Sequence, residues 1–364
     1  MDGNCTRQTM IKPGKHILIL SPGFPADEQD STCIPMLQNY IRAYFQQYPE
    51  DTISVISFQY PAYKNQVLWH NIEVFTAGGG NKKFPGRLLT WKQCLDYFKQ
   101  LHKVHPVDII HSFWLNECTL LGQYIASKNK IGHIATAMGQ DCLKENRYLR
   151  LLKINKMSVV NLSESMDARL SSSVGKKADH IIPFGLYKPA ARKTRERNID
   201  ILGVGSIIPV KDYPLFMEVI AALKQEFPAL CCMVIGNQPD PDELAKVKSI
   251  IAHENLGNNV ILKGQLEPEA VYDYMVRSRI FLHTSKYEGQ GLVLMEAQSS
   301  GMTTVCFDVG RTYPEKTIIC RDKEEMIVAL RSLLLDKELN FEPIFHETME
   351  DTAAAYHKLY YKNH

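Results

Sequence analysis

The 364-residue sequence predicts an α/β protein of two doubly wound domains in tandem, and three observations predict it. Short β-rich apolar runs alternate with longer helical patterns, the rhythm of parallel strands covered by helices. The rhythm breaks once, at "FGLYKPAARKTRERN" (184–198), where glycine, proline and a run of Lys and Arg leave little to bury. It restarts at "IDILGVG", and the length itself favours two ordinary domains over one.

Residues 1–14 lack the apolar stretch of a signal peptide and read as a flexible leader. An N-terminal domain follows at 15–187, with strands expected at His16–Leu20, Ile53–Phe58, Asp108–His111, His133–Ala137, Ser158–Leu162 and His180–Pro183. Helical patterns lie at Ile34–Gln47, Arg87–Lys103 and Leu115–Lys128. Residues 188–198 read as a solvated linker. The C-terminal domain, 199–345, is expected to run strand Ile199–Gly205, helix Tyr213–Phe227, strand "ALCCMVIG", a helix from Pro241, and strand "VILKG". Helix Pro268–Arg277, strand "IFLHT", helix Gly289–Ser300, strand "TTVCFD" and helix Lys323–Leu335 complete it. The tail, 346–364, ends in an amphipathic helix (Asp351–Tyr361) expected to cross back to the N-terminal domain.

A net charge of +2 and a pI of about 8.0 exclude a chain dedicated to nucleic acid. The nine cysteines include no Cys-x-x-Cys pair, which argues for reduced thiols over a disulfide framework or zinc site. No segment reaches the ~18 continuous apolar residues of a membrane span, so the cytoplasm is the expected location.

Ligands of open parallel sheets bind at the carboxyl ends of strands, where helix N-termini point outward. "HTSKYEGQGLVLMEAQSSGMTTVCFDVG" (283–310) brings two glutamates to such a place. Gly289 and Gly291 permit a tight turn, and the amides of Gln290, Gly291 and Leu292 are the free donors of the helix that opens there. Those amides suit a phosphate. A carboxylate repels one, so Glu288 and Glu296 call for hydroxyls instead. Hydroxyls at both ends and phosphate in the middle describe a nucleotide-sugar.

"YEGQGLVLMEAQSSGMTTVCFD" resembles the Glu-x7-Glu signature of the family 4 glycosyltransferases, carried here by Glu288, Gly289, Gly291, Glu296, Ala297 and Gly301. The family's Gly-x-Pro-Val-Val is "GMTTV" here, without the proline. The resemblance implies the GT-B fold, two Rossmann-like domains facing a central cleft, and retaining transfer of a sugar from a nucleotide-diphosphate sugar to a hydroxyl acceptor. It implies that Glu288 approaches the donor sugar, Glu296 binds ribose hydroxyls and the turn amides hold the distal phosphate. No metal and no other cofactor are expected.

"LGVGSIIPVK" is similar to the family's Gly-Arg-x4-Lys turn, with Lys211 as the lysine and Ser206 where the arginine stands. Main chain near Gly236 and at Gln265 and Leu266 would contact the base by the same resemblance. On the acceptor side, Gly23 stands nearest to the family's Gly-Gly pair, and "DIIHSFW" supplies His111. "HIATAMGQD" puts Met138 where relatives carry a cleft histidine, followed by Gly139 and Asp141. A methionine cannot exchange a proton, which leaves Asp141 or His111 as substitutes.

"CLKENRYLRLLKINKM" spaces Lys144, Arg147, Arg150, Lys153 and Lys156 three apart, which predicts one basic helical face. It would suit an anionic membrane surface, where a lipid-linked acceptor is met at the inner face. The expected setting is cell-surface polysaccharide or glycoconjugate synthesis. Two other readings stay open: a nucleotide-sugar 2-epimerase of the same fold, and a non-catalytic nucleotide-sugar binder.

Overall fold

The computed structural model describes residues 14–187 and 195–362, which form two compact units. The first takes the described residues through Asn161, then Leu170–Ile182, then the chain from Glu350; the second takes Leu162–Arg169 and the described residues of Pro183–Met349. Residues 1–13 of the leader and 188–194 of the proposed linker lie outside the described residues.

In the first unit the chain runs β1 (His16–Gly23), α1 (Pro35–Gln47), β2 (Thr52–Tyr60), β3 (Lys64–Trp69), β4 (Ile72–Ala77), α2 (Gly86–Val104) and β5 (Ile109–Phe113). It continues through α3 (Glu117–Asn129), β6 (Gly132–Thr136), β7 (Ser158–Asn161), α4 (Glu164–Val174, shared with the second unit) and β8 (His180–Ile181). The sheet order is β3-β4-β2-β1-β5-β6-β7-β8, parallel except for β3. Its inner strands are buried on both faces, as the continuous apolar runs of β1 and β2 require. The hairpin β3–β4 and helix α4 were not expected from sequence. Lys64–Trp69 carries three polar residues at its start and buries only Trp69, so it has no clean apolar face to read.

The basic segment is not a helix. Residues 140–156 form three short 3₁₀ turns, Gln140–Cys142, Arg147–Arg150 and Ile154–Lys156. Leu149, Leu152, Ile154 and Met157 are buried at irregular intervals, and Asn146 ties the loop by donating to the carbonyls of Leu115 and Asp141 at 2.7 Å each. Anchors so spaced cannot lie along one helical stripe.

The second unit runs β9 (Ile199–Val204), α5 (Tyr213–Lys224), β10 (Cys232–Ile235), α6 (Pro241–His253), β11 (Val260–Gly264), α7 (Pro268–Val276), β12 (Ser278–His283), α8 (Leu292–Ser299), β13 (Thr303–Phe307), β14 (Thr317–Cys320) and α9 (Lys323–Leu335). All six strands are parallel, in the order β11-β10-β9-β12-β13-β14. Asp240 and Asp322 cap α6 and α9 by accepting backbone amides, which sets where those helices start. Two apolar layers cover the sheet, one around Phe216, Ile220 and Val305, the other around Phe281, Leu294 and Met302. Strand order reverses between β9 and β12, so the loops leaving these neighbours open side by side.

At the end of the linker Arg195, Glu196 and Asn198 are exposed, while Arg197 is anchored. Arg197 donates to the carbonyls of Met275, Ser278 and Ser300 and lies over the Phe341 ring at 4.3 Å. Burial lowers its guanidinium to about 10. The last helix, α10 (Met349–Tyr361), packs in the first unit, where Tyr356 and Tyr360 are buried. Tyr360 shares hydrogen bonds of 2.6 Å with Tyr40 and with His111.

Candidate functional site

Two loops of the second unit are sewn together at the strand reversal. After β9 the chain passes Gly205 and Ser206 to Lys211; after β12 it passes Thr284, Ser285 and Lys286 to Glu288. Thr284 Oγ1 donates to the Lys211 carbonyl at 2.9 Å, and the Lys286 amide and Ser285 hydroxyl both donate to the Val210 carbonyl. Lys286 also pairs with Asp212 at 2.7 Å. These links set Lys211 against Glu288, with Nζ 2.5 Å from Oε1. His283, the last residue of β12, reaches the same oxygen through Nε2 at 2.8 Å. Burial pushes the Glu288 carboxyl up, but the His283 hydrogen bond and the Lys211 ammonium outweigh it and hold the group at about 2. Glu288 is therefore a fixed carboxylate.

The turn that follows is held by its neighbours, not by its own hydrogen bonds. Gly291 caps α8 at φ 80°, a left-handed conformation that suits glycine. The Gln290 carbonyl accepts the Arg311 amide at 2.7 Å, and the Gly289 carbonyl accepts the Ser163 hydroxyl at 2.7 Å. The Gln290 side chain turns inward, accepting the Phe184 amide and donating to the Phe184 carbonyl. Among the described residues the amides of Gln290, Gly291 and Leu292 have no acceptor, so three donors stay open at the start of α8. Glu296, one turn into α8, is half-buried; burial raises its carboxyl, and that carboxylate has no partner among the described residues.

The other donor-side positions fall on the same edge. Gly236 follows β10, and a β-carbon there would lie 1.9 Å from the Gly205 carbonyl oxygen, so only glycine fits. Ser206 is half-buried with no hydrogen-bond partner among the described residues, Gln265 is exposed just beyond β11, and Leu266 packs its side chain on the core. Sequence reasoning passed over His283. A histidine closing a β-strand five residues before Glu288 was the available signal.

The first-unit candidates are a different matter. His111 is fully buried and spends both ring nitrogens, Nδ1 on Tyr360 and Nε2 on Thr136 at 2.8 Å, so it packs the core of its unit and is not open to substrate. Burial holds its pKa well below the ordinary value. Asp141 is buried and accepts the amides of Leu115, Met138 and Gly139 at 2.7, 3.0 and 2.6 Å. Its burial raises the pKa against those amides, and its oxygens are committed to shaping a loop. Gly139 only opens the short turn that Asp141 pins. Gly23 ends β1, and a β-carbon there would lie 3.3 Å from Cys33 Sγ. Tertiary contacts commit His111 and Asp141 to structure.

Residues 188–338 match the family described as "Glycosyl transferases group 1". An uncharacterized glycosyltransferase, MJ1178 of Methanocaldococcus jannaschii, is 22% identical over 267 residues, 70% of this chain and 69% of that protein. The phosphatidylinositol N-acetylglucosaminyltransferase GPI3 subunit of Saccharomyces cerevisiae (strain S288c) is 24% identical over 309 residues, 83% of this chain and 63% of that subunit. Among solved structures, sucrose-phosphate synthase from Thermosynechococcus elongatus superposes with a TM-score of 0.71 at 17% identity, covering 95% of this chain and 98% of that one. The last likeness is one of fold, and the two parallel-sheet α/β units are those of GT-B proteins. Glu288, Gln290, Glu296 and Lys211 all lie inside the stretch that matches the group 1 glycosyl transferases.

Proposed function

We propose that the chain is a retaining glycosyltransferase that moves a sugar from a nucleotide-diphosphate sugar to a hydroxyl of a saccharide or lipid-linked acceptor, in the synthesis of cell-surface polysaccharide or another glycoconjugate. One observation carries the reading: three amides at the head of α8, without an acceptor among the described residues, lie between two carboxylates, Glu288 and Glu296. The amides of 290–292 and the Lys211 ammonium receive the diphosphate and stabilise its charge as the bond to the sugar breaks. Glu288 holds sugar hydroxyls through the oxygen that Lys211 and His283 leave open, and Glu296 holds those of the ribose. Main chain at Gly236, Gln265 and Leu266 lines the base, with Ser206 as a neutral donor beside the diphosphate. The acceptor hydroxyl attacks from the face the diphosphate leaves, and a phosphate oxygen takes its proton. No metal takes part, so activity should survive EDTA. The named relatives are transferases, which favours transfer over isomerisation of the donor.

A thermal-shift screen of nucleotide-sugars, followed by transfer of a labelled sugar from the best binder, tests the reading, since a ligand that binds the folded state raises its melting temperature. No shift with any nucleoside diphosphate sugar would end it. Glu296→Ala should mainly weaken donor binding and Glu288→Ala mainly slow transfer; equal, mild effects would count against these roles.

A peripheral contact with an anionic membrane surface is part of the proposal. Lys144, Arg147, Arg150, Lys153 and Lys156 are exposed and flank the exposed Leu151, although they share no helix. Arg87 donates to the Tyr148 hydroxyl at 3.0 Å, which brings this loop to the start of α2, where Phe84, Leu88 and Leu89 are exposed beside Lys82 and Lys83. Apolar side chains ringed by cations suit the interface of an anionic bilayer. Among the described residues no helix is long and apolar enough to cross one. Co-sedimentation with phosphatidylglycerol vesicles should fall when the five cations are replaced by glutamine; unchanged binding would remove this part alone.

A further inference from the structure

We propose that Glu288 holds Lys211 in reserve, and that His283 is the positioning residue that allows the ammonium to leave when a diphosphate arrives. The inference rests on the donor-site reading above and assigns a part to a residue that reading does not use.

Lys211 Nζ and His283 Nε2 converge on one oxygen, Glu288 Oε1, at 2.5 and 2.8 Å, while Oε2 has no partner among the described residues. The two donors differ in freedom. The His283 ring is 4% exposed and lies nearly parallel to Phe281, with an interplanar angle of 19°. Lys211 hangs on a four-carbon stem over Gly205, where a β-carbon would lie 3.5 Å from its Cε, and its side chain is one-fifth exposed (20%). One donor is fixed and the other can move.

An anion on the amides of 290–292 competes with Glu288 for the ammonium. If Lys211 were the sole donor, its departure would leave a largely buried carboxylate uncompensated, and the cost would resist binding. His283 remains on Oε1 and removes that cost. The Tyr213 hydroxyl cannot replace it, because that hydroxyl donates to the Gly205 carbonyl. With Oε1 still held, Oε2 keeps its direction toward the sugar hydroxyls.

Titration calorimetry with UDP and GDP as probes tests this on the full chain and on His283→Leu, His283→Gln, Glu288→Gln and the Leu/Gln double variant. Glu288→Gln frees Lys211 and should tighten binding; His283→Leu should weaken it, each by about 3- to 10-fold, within the range of coupling between residues that share a partner. His283→Gln, which keeps an N–H near the same point, should restore affinity to within about twofold of the native chain. In the Glu288→Gln background His283→Leu should change nothing, because His283 acts only through the carboxylate. An equal loss in both backgrounds would mark a merely structural histidine and overturn the proposal, as would weaker binding by Glu288→Gln. Should His283→Leu fail to fold, the Glu288→Gln and His283→Gln comparisons still decide. If neither nucleotide binds the native chain, the donor-site reading falls and this goes with it. Binding that is lost in Lys211→Met yet indifferent to His283 leaves that reading standing and removes this one.

Discussion

The side chain of Gln290 closes a ring with the main chain of Phe184, accepting its amide at 2.9 Å and donating to its carbonyl at 2.6 Å. Both residues are buried, so the ring ties the turn before α8 to the segment that follows β8. Gln290→Ala should strand two buried backbone groups and destabilise the chain by about 1–3 kcal/mol for each. Chemical denaturation checks it, and a loss below ~0.5 kcal/mol would show that water replaces the ring.

Glu296 has no partner for its carboxylate among the described residues, and burial raises its pKa. Removing it should relieve the folded chain while harming the ligand-bound one. Glu296→Gln is expected to leave the melting temperature unchanged or higher, yet to weaken nucleoside diphosphate binding by about 10-fold or more, the worth of a charge-assisted hydrogen bond. Calorimetry and a melt of the same sample measure both. A lower melting temperature with unchanged affinity would contradict this.

The folded state holds Glu288 at about 2, against an ordinary 4.5, with Lys211 and His283 on one oxygen. Its contribution to stability is therefore whole above pH 4.5 and fades as the pH falls toward 2. Melting temperature should drop through that window more steeply in the native chain than in Glu288→Gln, by about 2–4 °C for each kcal/mol in a domain of this size. Parallel curves would mean the pair contributes nothing net.

At Gly310 φ is +67°, and a β-carbon would lie 2.4 Å from the Gln290 carbonyl oxygen and 3.0 Å from Glu288 Cβ. Gly310→Ala should combine backbone strain with a displaced Gln290, at about 1–3 kcal/mol. Nucleotide binding should weaken alongside stability, because the open amides belong to the same turn. Denaturation and calorimetry together check it; lost stability with native affinity would separate Gly310 from the site.

His111 sits among Tyr360, Thr136 and Phe113, away from any exposed surface. His111→Ala should cost about 2–4 kcal/mol through the lost hydrogen bonds to Tyr360 and Thr136 and an empty volume. The donor affinity of the folded fraction should remain native. Selective loss of affinity or transfer would restore a functional part to this histidine.

Where the candidate donor-side residues lie was largely legible in the sequence. Glu288, the amides of 290–292, Glu296 and Lys211 were read from turn chemistry and a resemblance, and all lie at the carboxyl edge of one sheet. What misled was local spacing taken as a face: the cations from Lys144 to Lys156 fall three apart, but Leu149, Leu152 and Ile154 anchor 3₁₀ turns instead of one helix. The edge strands Lys64–Trp69 and Thr317–Cys320 were passed over because their exposed residues blur the alternation on which a strand is recognised.

The sequence by itself determined the alternation of strands and helices, the restart near Ile199 and the glycines of the turn before α8. These depend on hydrophobic period and backbone freedom, which act over a few residues. Only the tertiary structure decided that Lys211 and His283 would share one oxygen of Glu288, across 77 residues in the first case, and that Asp141 and His111 would be spent on packing. A side chain's chemistry is fixed by its type, but whether it is free to use that chemistry depends on neighbours that the chain brings in from afar.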